Sequence, residues 1–473
     1  MGFSDNFRKA YNYMKKNGLK DTLYASVERL NDDSRKYEYR GISEAEAKIQ
    51  REARFDIRTR FSIVVPTYET NEVFARAMIK SVLNQTYPGF ELIIADASSS
   101  DKVEKVVRSF EDERITYIKN TNNSGISENT NAGIRVASGQ YIGLLDHDDL
   151  LTQNALYEFA RKIEDAKKDG IRYSFLYSDE DKCDTCAENF FEPNFKPEFN
   201  LDLLLSNNYI CHFMMMEAAL IKKLQLRKEF DGAQDHDLLL RAYRMSDKPI
   251  GHIGKVLYHW RCHERSTASN PESKKYAYEA GKRAVADFLR NWNVNGAVID
   301  TKHNGFFRVI YGALNGTGGE INTGGSMTGV ADIFKNRFDI GIVGGPLIKR
   351  GKITGGIIDE TRTCPLEGAN INYSGYMHRN ILQQDAIAVD IRFMFVRKEL
   401  LEALSKIAEK TEYREIFTRD LTNSDSAYID MRDFIYTKGI DDLILQNLSY
   451  ELCKQCEMEG YRVFYEPSLE ELS

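Results

Sequence analysis

The sequence predicts an α/β fold in which a largely parallel sheet is covered by helices. From Phe61 onward, short apolar runs alternate with amphipathic stretches, beginning with "FSIVVP", "NEVFARAMIKSVLNQ", "FELIIAD" and "DKVEKVVRSF". This alternation is typical of crossover units, which build parallel sheets. The rhythm continues through "YIGLLD" and "QNALYEFARKIEDAKK", so we expect one doubly wound domain over residues 61–310.

Length and charge narrow the classes of protein. At roughly 150 residues per domain, 473 residues suggest about three units. The formal net charge of −7 argues against nucleic acid as a partner, because binding it calls for a basic surface. The sequence has no run of roughly 18 apolar residues, as a membrane span needs, and its start lacks a signal-peptide core. We therefore expect a cytoplasmic protein.

The seven cysteines form no disulfide-like framework, in agreement with a reducing compartment. Cys183 and Cys186 form one CxxC pair, and Cys453 and Cys456 form another. A zinc site built from both pairs is an alternative, although ligand pairs so far apart in sequence are a weak signature.

Residues 1–60 predict helices that precede the main fold, with apolar positions at helical spacing. Their first twenty residues are basic, which favours peripheral contact with an anionic membrane surface; a helix with a solvated basic face is the alternative. The basic residues are Arg8, Lys9, Lys15, Lys16 and Lys20.

Polar clusters follow three of the predicted strands: "PTYE" from Pro66, "ADASSSD" from Ala95 and "DHDD" from Asp146. In doubly wound sheets, ligands gather beyond the carboxyl ends of the strands, so these clusters should face one site. Carboxylates there can hold Mg²⁺ or Mn²⁺, which proteins commonly share with substrate phosphates. A solvated strand end is the alternative for the acidic cluster considered alone.

With these clusters, the chain resembles the family-2 glycosyltransferases of the GT-A fold over about residues 60–300. The resemblance extends through "NNSGISENTNAGIRVASGQYIGLLDHDDLL", "YSDEDK", "FKPEFNLDLLLSNNYICHF", "FDGAQDHDLLLRAY" and "YHWRCHERSTA", and favours the bacterial branch that builds rhamnose-containing and other cell-surface polysaccharides. It implies inverting sugar transfer from a nucleotide-diphosphate donor, most readily UDP- or dTDP-linked, to a saccharide acceptor. A lipid-linked acceptor at the inner face of the plasma membrane fits this branch.

The resemblance also implies nucleotide-sugar-binding residues. They are Pro66, Thr67, Tyr68, Glu69, Asp96, Thr130, Asn131, Asp146, Asp179 and Glu180. Two departures leave the donor open: Ala97 and Ser98 follow Asp96 where relatives carry a second acidic residue, and Thr130 stands where relatives often carry arginine. For Asp179 and Glu180, a solvated acidic turn is the alternative.

The metal ligands implied by the resemblance are Asp146, Asp148 and His263, with Mn²⁺ or Mg²⁺ as the cofactor. Asp149 could replace one of these ligands or hold them in place without contacting the metal. For His263, the alternative is a surface position beside Glu264.

Asp235, in "GAQDHD", matches the position of the catalytic base, and a carboxylate there can accept the proton of an attacking hydroxyl. Asp237 is its rival. Because near neighbours on a helix do not share a face, we expect Asp237 to cap the first turn instead.

The second half of the chain carries no second "IVVPTY" or "DHDD". We expect a glycine-rich linker or loop at 311–335, followed by a degenerate glycosyltransferase-like half-domain at 336–473. Residues 386–404 echo 208–224, and Asp441 and Asp442 lie at the base-like place. Without a donor site, this half is expected to be structural or to bind acceptor.

Three other functions fit the sequence less well. A nucleotidyltransferase would show a glycine-rich basic loop after the first strand, and a dehydrogenase would show GxGxxG there; the sequence reads "PTYETNEVF". A non-catalytic sugar-nucleotide- or glycan-binding subunit of a polysaccharide assembly complex is disfavoured by the intact acidic residues Asp146, Asp148 and Asp235.

Overall fold

The computed structural model describes Met14 and residues 37–469, apart from 57, 264–274, 313–326 and 425. The basic residues predicted to favour a membrane surface lie outside this part of the chain. The described chain divides into two compact units. Of the described residues, the first unit comprises those within 37–199 and 208–288, and the second comprises Met14 and those within 200–207 and 289–469.

Helices and strands alternate through the first half of the chain, as predicted. In order they are α1 (Glu44–Glu52), β1 (Phe61–Thr67), α2 (Glu72–Leu83), β2 (Phe90–Asp96), α3 (Lys102–Arg108), β3 (Ile115–Lys119), α4 (Ile126–Val136), β4 (Tyr141–Leu144), β5 (Leu150–Leu151), α5 (Ala155–Lys168), β6 (Phe175–Cys183), β7 (Phe190–Asn194), α6 (Leu201–Ser206), β8 (Met214–Glu217), α7 (Ala218–Leu224), α8 (Gln234–Met245), β9 (Ile250–Arg261) and α9 (Lys275–Asn291).

The first unit is built on one sheet in the order β3-β2-β1-β4-β8-β6-β9-β5, with β7 paired to β6. Its first four strands are parallel, and their carboxyl ends meet at one edge. Every residue of β2 is buried, and so are all residues of β1 except Pro66. Strands buried on both faces read as continuous apolar runs, which is why "FSIVVP" and "FELIIAD" show no polar alternation. The predicted α/β fold is confirmed.

The remaining strands of this sheet are mixed in direction. Strand β8 is antiparallel to both β4 and β6, and β6 is parallel to β9. Strand β5 adds to β9 directly after the acidic cluster, pairing Leu150 with His259. This pairing brings the end of β9 beside the loop that follows β4.

The second unit contains α6 and the elements after α9. They are β10 (Gly296–Asp300), β11 (Phe307–Tyr311), α10 (Met327–Asn336), β12 (Ile340–Gly344), β13 (Leu347–Lys349), β14 (Lys352–Gly355), β15 (Ile357–Ile358), β16 (Gln384–Asp385), β17 (Ala388–Val389), β18 (Met394–Arg397), α11 (Leu401–Ala408), β19 (Tyr428–Asp430), α12 (Asp442–Met458) and β20 (Arg462–Tyr465). Its main sheet has the order β16-β20-β12-β18-β19.

Strand pairing in the second unit repeats part of the first. Strand β12 is antiparallel to β18 and parallel to β20, just as β6 is antiparallel to β8 and parallel to β9. In both units a helix follows the antiparallel neighbour, and a second helix precedes the parallel one. This order supports the interpretation of residues 336–473 as a degenerate half-domain, which we carry forward as a proposal.

The predicted linker at 311–335 needs a correction. Its last part forms α10, because Val330, Ile333 and Phe334 are at helical spacing and all three are buried. Residues 313–326 lie outside the described chain. In the part of the chain that the structure describes, no helix is long and apolar enough to cross a membrane.

Candidate active site

Asp96 ends β2 and is fully buried at the edge where the parallel strands finish. Its Oδ1 accepts hydrogen bonds from Thr67 Oγ1 at 3.0 Å and Ser98 Oγ at 2.6 Å, and its Oδ2 accepts from Tyr117 Oη at 2.8 Å and Lys119 Nζ at 3.0 Å. Burial opposes ionisation, but these donors lower the pKa of Asp96 overall. The carboxylate therefore holds together the ends of β1, β2 and β3 at this edge of the sheet. Its contact with a nucleoside remains a prediction.

Glu69 joins the loops that follow β1 and β2. Its carboxylate accepts hydrogen bonds from the hydroxyls of Ser99 and Ser100, at 2.8 and 2.9 Å, and from both of their backbone N–H groups. These bonds lower the pKa of Glu69 to about 2. Beside it in the chain, Pro66 is half-buried and Tyr68 is 53% exposed.

Thr130 and Asn131, predicted to bind the nucleotide sugar, are buried inside α4. Thr130 Oγ1 donates to the carbonyl of Ile126 at 2.7 Å. The amide of Asn131 donates to the carbonyl of Leu226 at 2.9 Å and accepts from the Leu226 N–H at 2.8 Å. Both ends of the Asn131 amide are thus bonded to the backbone of Leu226, and nucleotide-sugar binding by Thr130 and Asn131 stays a prediction.

The acidic cluster after β4 faces two histidines. His212 Nε2 lies 3.7 Å from Asp146 Oδ2, and His263 Nε2 lies 2.8 Å from Asp148 Oδ2. The side chain of Asp146 is 45% exposed, and that of Asp148 is 18% exposed. Both carboxylates therefore lie at the surface of the site, each beside an imidazole.

Asp149 is buried behind this pair. Its Oδ2 accepts from Tyr258 Oη at 2.5 Å, and its Oδ1 accepts from the backbone N–H of Arg261 at 2.7 Å. Arg261 in turn donates through Nε to the carbonyl of Asp148 at 2.6 Å. Burial raises the pKa of Asp149, and the charges of Asp148 and Asp146 raise it further. Asp149 thus ties the acidic loop to β9.

The donor set around Asp146 suits a hard or borderline divalent cation. Carboxylate oxygens of Asp146 and Asp149 and a ring nitrogen of His212 lie within 4.8 Å of one another. Desolvation raises the pKa of Asp146; the charges of Asp148 and Asp235 raise it further, while His212 opposes the shift. A bound cation would relieve this crowding of negative charge, so the residues present fit Mg²⁺ or Mn²⁺.

Asp235 and Asp237, both in the first turn of α8, have different surroundings. The amide of Asn208 donates to Asp235 Oδ2 at 2.7 Å, and Asp235 remains partly exposed. Asp237 is buried and forms ion pairs with Arg227 and Arg241. The expectation that Asp237 caps the helix is therefore corrected: paired cations occupy its carboxylate.

Comparison with known proteins identifies the family of the region that contains the acidic cluster. A family model described as Glycosyl transferase family 2 matches residues 62–225. The chain carries a family 2 glycosyltransferase domain. Within the matched residues lie the acidic cluster and His212, whereas Asp235 and His263 lie beyond them. The predicted family 2 domain is confirmed over these residues.

Three relatives show how far the likeness extends. The chain is 41% identical over 233 residues to the uncharacterized protein y4gI of Sinorhizobium fredii, covering 48% of this chain and 25% of that protein. It is 32% identical over 241 residues to the O-antigen biosynthesis protein RfbC of Myxococcus xanthus, covering 50% and 18%. The chain therefore spans a quarter or less of the length of these two relatives.

The third relative is UDP-Glc:alpha-D-GlcNAc-diphosphoundecaprenol beta-1,3-glucosyltransferase WfaP of Escherichia coli. It is 25% identical over 256 residues, which cover 54% of this chain and 93% of that protein.

Asp179 and Glu180 of the glycosyltransferase domain have protein partners where sugar contacts are predicted. Asp179 is buried and binds the backbone N–H of Lys196 at 2.9 Å and His252 at 2.8 Å. Glu180 accepts from the backbone N–H of His212 at 3.2 Å and lies 3.5 Å from the Lys196 ammonium. Both carboxylates thus support the site from within β6, and neither forms a solvated turn.

Two supporting residues of this glycosyltransferase domain were missed at the sequence level. His212 faces Asp146, and the fully buried ammonium of Lys196 donates to the carbonyls of Ile210, at 2.6 Å, and His212. Both lie in "FKPEFNLDLLLSNNYICHF", which carries the resemblance. A lysine near the start of that stretch and a histidine near its end were the available signal, but only the position of β8 between β4 and β6 brings His212 to the acidic loop.

The cysteines show no sign of a zinc site. Cys183 belongs to the glycosyltransferase domain, whereas Cys453 and Cys456 are buried in α12 of the second unit. Burial raises the pKa of the Cys453 thiol to about 12, which disfavours the thiolate that zinc requires. Among the described residues, the one grouping with metal-like spacing contains no cysteine.

Proposed function

We propose that the protein is an inverting glycosyltransferase that moves a sugar from a nucleoside-diphosphate donor to a saccharide hydroxyl during cell-surface polysaccharide synthesis. The observation that carries this proposal is a chain of contacts from Asp235 to the acidic loop. Asn208 donates to Asp235 Oδ2 at 2.7 Å and accepts from the Cys211 N–H at 3.2 Å, and the next residue, His212, lies 3.7 Å from Asp146. A base and a cation site are the two groups that such a single-displacement transfer uses, and these contacts support Asp235 and the acidic loop as candidates for them.

Asp235 has the environment of a general base. Its carboxylate is held on a helix, partly exposed, and hydrogen-bonded by a neutral amide that leaves the second oxygen, Oδ1, available. In the proposed step, Oδ1 takes the proton of the acceptor hydroxyl while the hydroxyl oxygen bonds to the anomeric carbon. The bond from that carbon to the diphosphate breaks, and the nucleoside diphosphate leaves with the bonding pair. One displacement inverts the anomeric centre.

Asp146 and Asp148 would hold Mg²⁺ or Mn²⁺, with His212 and His263 as the neighbouring nitrogen donors. When bound, such an ion stabilises negative charge on the leaving diphosphate as a Lewis acid. The protein's own contribution is to fix the loop: Asp149 binds Tyr258 and the Arg261 backbone, so the acidic residues keep their place beside β9.

For the donor, we propose a UDP- or dTDP-linked sugar bound between Tyr68, Glu69 and Asp96 on one side and the acidic loop on the other. The name of the relative WfaP specifies UDP-glucose and a diphosphoundecaprenol-linked acceptor, which supports a uridine donor and a lipid-linked saccharide acceptor here. RfbC, named for O-antigen biosynthesis, supports the polysaccharide context. A peripheral position at the inner face of the plasma membrane suits that acceptor.

The second unit is proposed to be structural or to bind acceptor. Asp441 caps α12 by accepting from the Leu443 N–H at 2.8 Å, and Asp442 accepts from Arg392 Nη1 at 2.7 Å. Arg392 also donates to Asp390. Both carboxylates at the base-like place are thus engaged by the protein, which supports the expectation that this unit performs no transfer.

The proposal is tested by measuring nucleoside-diphosphate release from UDP- and dTDP-sugars with saccharide and lipid-diphosphate-linked saccharide acceptors, with Mn²⁺ and with chelator. We expect release that requires acceptor and metal, with inversion at the anomeric carbon seen by NMR of the product. Retention of configuration would refute the mechanism. Binding of a donor without turnover across the panel would favour a non-catalytic binding subunit.

A further inference from the structure

We infer that Asn208 is a positioning residue for Asp235, holding the carboxylate in the orientation in which it receives the acceptor's proton. The inference rests on the proposed function and adds to it a residue outside the acidic loop. Asn208 precedes β8 in the chain, and Asp235 lies 27 positions later in the first turn of α8. Their contact therefore joins the loop before β8 to the first turn of α8.

The side-chain amide of Asn208 is engaged at both ends. Its Nδ2 donates to Asp235 Oδ2 at 2.7 Å, and its Oδ1 accepts from the backbone N–H of Cys211 at 3.2 Å. Because the Cys211 contact fixes the direction of the amide, Nδ2 can point only toward Asp235. The turn that leads into His212 thus fixes the orientation of the Asn208 amide, and the amide in turn fixes the orientation of the Asp235 carboxylate.

A neutral donor suits this place. Glu180 carries a charge of the same sign beside the same turn, where its carboxylate accepts from the backbone N–H of His212 at 3.2 Å. A lysine or arginine in place of Asn208 would pair with Asp235 and weaken it as a proton acceptor. An amide restrains one oxygen without neutralising the carboxylate, which leaves Oδ1 as the acceptor of the hydroxyl proton.

Two substitutions separate the two hydrogen bonds. Asn208→Ala removes both, whereas Asn208→Asp keeps an oxygen for the Cys211 N–H and replaces only the donor by a like charge. Asn189→Ala is the matched control, because Asn189 also donates its amide to an aspartate, Asp184 at 2.5 Å, but at an exposed turn outside the site.

The experiment is steady-state kinetics of the full chain with a donor and acceptor found active for the wild type. We expect Asn208→Ala and Asn208→Asp to lower kcat about 10- to 100-fold with the donor KM within about twofold of wild type, since misplacing a base affects the chemical step. Asn189→Ala should match wild type. An unchanged kcat in Asn208→Asp, or an equal loss through KM alone, would overturn the inference.

Crystal structures of wild type and Asn208→Ala give a readout that does not depend on turnover. We expect the Asp235 carboxylate to leave its wild-type rotamer in the variant while α8 stays in place. An unmoved carboxylate would overturn the inference even if kcat fell. Absence of turnover in the wild type would instead count against the proposed function, and the crystallographic comparison would still decide the role of Asn208.

Discussion

His263 Nε2 lies 2.8 Å from Asp148 Oδ2, across 115 positions of sequence. The contact exists because β5, directly after the acidic loop, pairs with β9, whose end leads into His263. Asp149 strengthens the same junction from the buried side by binding the Arg261 backbone at 2.7 Å. The acidic loop and the end of β9 therefore form one face of the site, and substitution on either side should affect the binding of the same ligand.

Asp148→Ala should abolish metal-dependent stabilisation by nucleotide. In wild type, a nucleotide at about a hundred times its dissociation constant should add roughly 2.7 kcal/mol to the free energy of unfolding. Thermal unfolding with UDP, dTDP and GDP, each with and without Mn²⁺, measures this and identifies the base. Asp165→Ala, at an exposed carboxylate of α5, is the control and should retain the shift. An equal shift in Asp148→Ala would remove Asp148 from the site.

Asp235→Asn should keep donor binding and lose transfer. The amide cannot accept the hydroxyl proton, so we expect the turnover number to fall at least about 100-fold while the nucleotide-induced thermal shift stays at its wild-type size. Asp247→Asn makes the same chemical change at an exposed carboxylate just beyond the other end of α8 and should be silent. Transfer at the wild-type rate by Asp235→Asn would assign the base elsewhere.

The parts of the site that could be predicted from the sequence are those that follow the carboxyl ends of parallel strands. Asp96 and the acidic cluster follow buried parallel strands, and carboxyl ends of parallel strands meet at one edge, so their convergence is readable from sequence. Asp146 and Asp148 are at that edge as predicted. The argument from strand ends does not reach Asn131, which lies within α4 and was predicted from the family resemblance. Its bonds to the backbone of Leu226, 95 positions away, could not be read from the sequence.

The parts that were missed depend on strand directions that periodicity does not reveal. His212 reaches Asp146 only because β8 runs antiparallel between β4 and β6. Asp179 and Glu180 follow an apolar run and resemble a strand-end cluster, yet they lie within β6, which continues to Cys183, and their carboxylates are buried. An apolar run followed by acidic residues looks the same in the sequence whether the acidic residues follow the strand or continue it. The end of the strand is therefore known only from the structure.

Asp339→Asn should lower the free energy of unfolding at neutral pH. The variant should also lose less of that free energy than wild type when the pH falls. Burial opposes ionisation of Asp339, but hydrogen bonds and charge from Arg337, followed by the charge of Arg462, lower its pKa to about 2. A carboxyl with a lowered folded pKa contributes stability that is full above its unfolded pKa of about 3.9 and is lost as pH falls toward 2. The contribution is about 2 kcal/mol.

Urea unfolding at pH 7, 4 and 3 measures this contribution. The difference between wild type and Asp339→Asn should be largest at pH 7 and shrink at pH 3. Asp433→Asn, at an exposed carboxylate of the same unit, should follow wild type at every pH. Parallel pH profiles for wild type and Asp339→Asn would show that the ion pairs with Arg337 and Arg462 contribute no net stability.

Asp237→Ala should have a lower free energy of unfolding than wild type, while its folded molecules retain transfer. This outcome would distinguish the role of Asp237 from that of Asp235. Asp237 is 2% exposed and binds both Arg227 and Arg241, so its removal takes this anion from Arg241 and leaves Arg227 paired with Asp287. Removing one partner of a buried ion pair typically costs about 3–5 kcal/mol. Denaturant unfolding gives the loss of stability, and turnover per folded molecule, measured at low temperature with UDP-sugar present, gives the catalytic effect. A stable Asp237→Ala protein without transfer would exchange the roles of the two carboxylates.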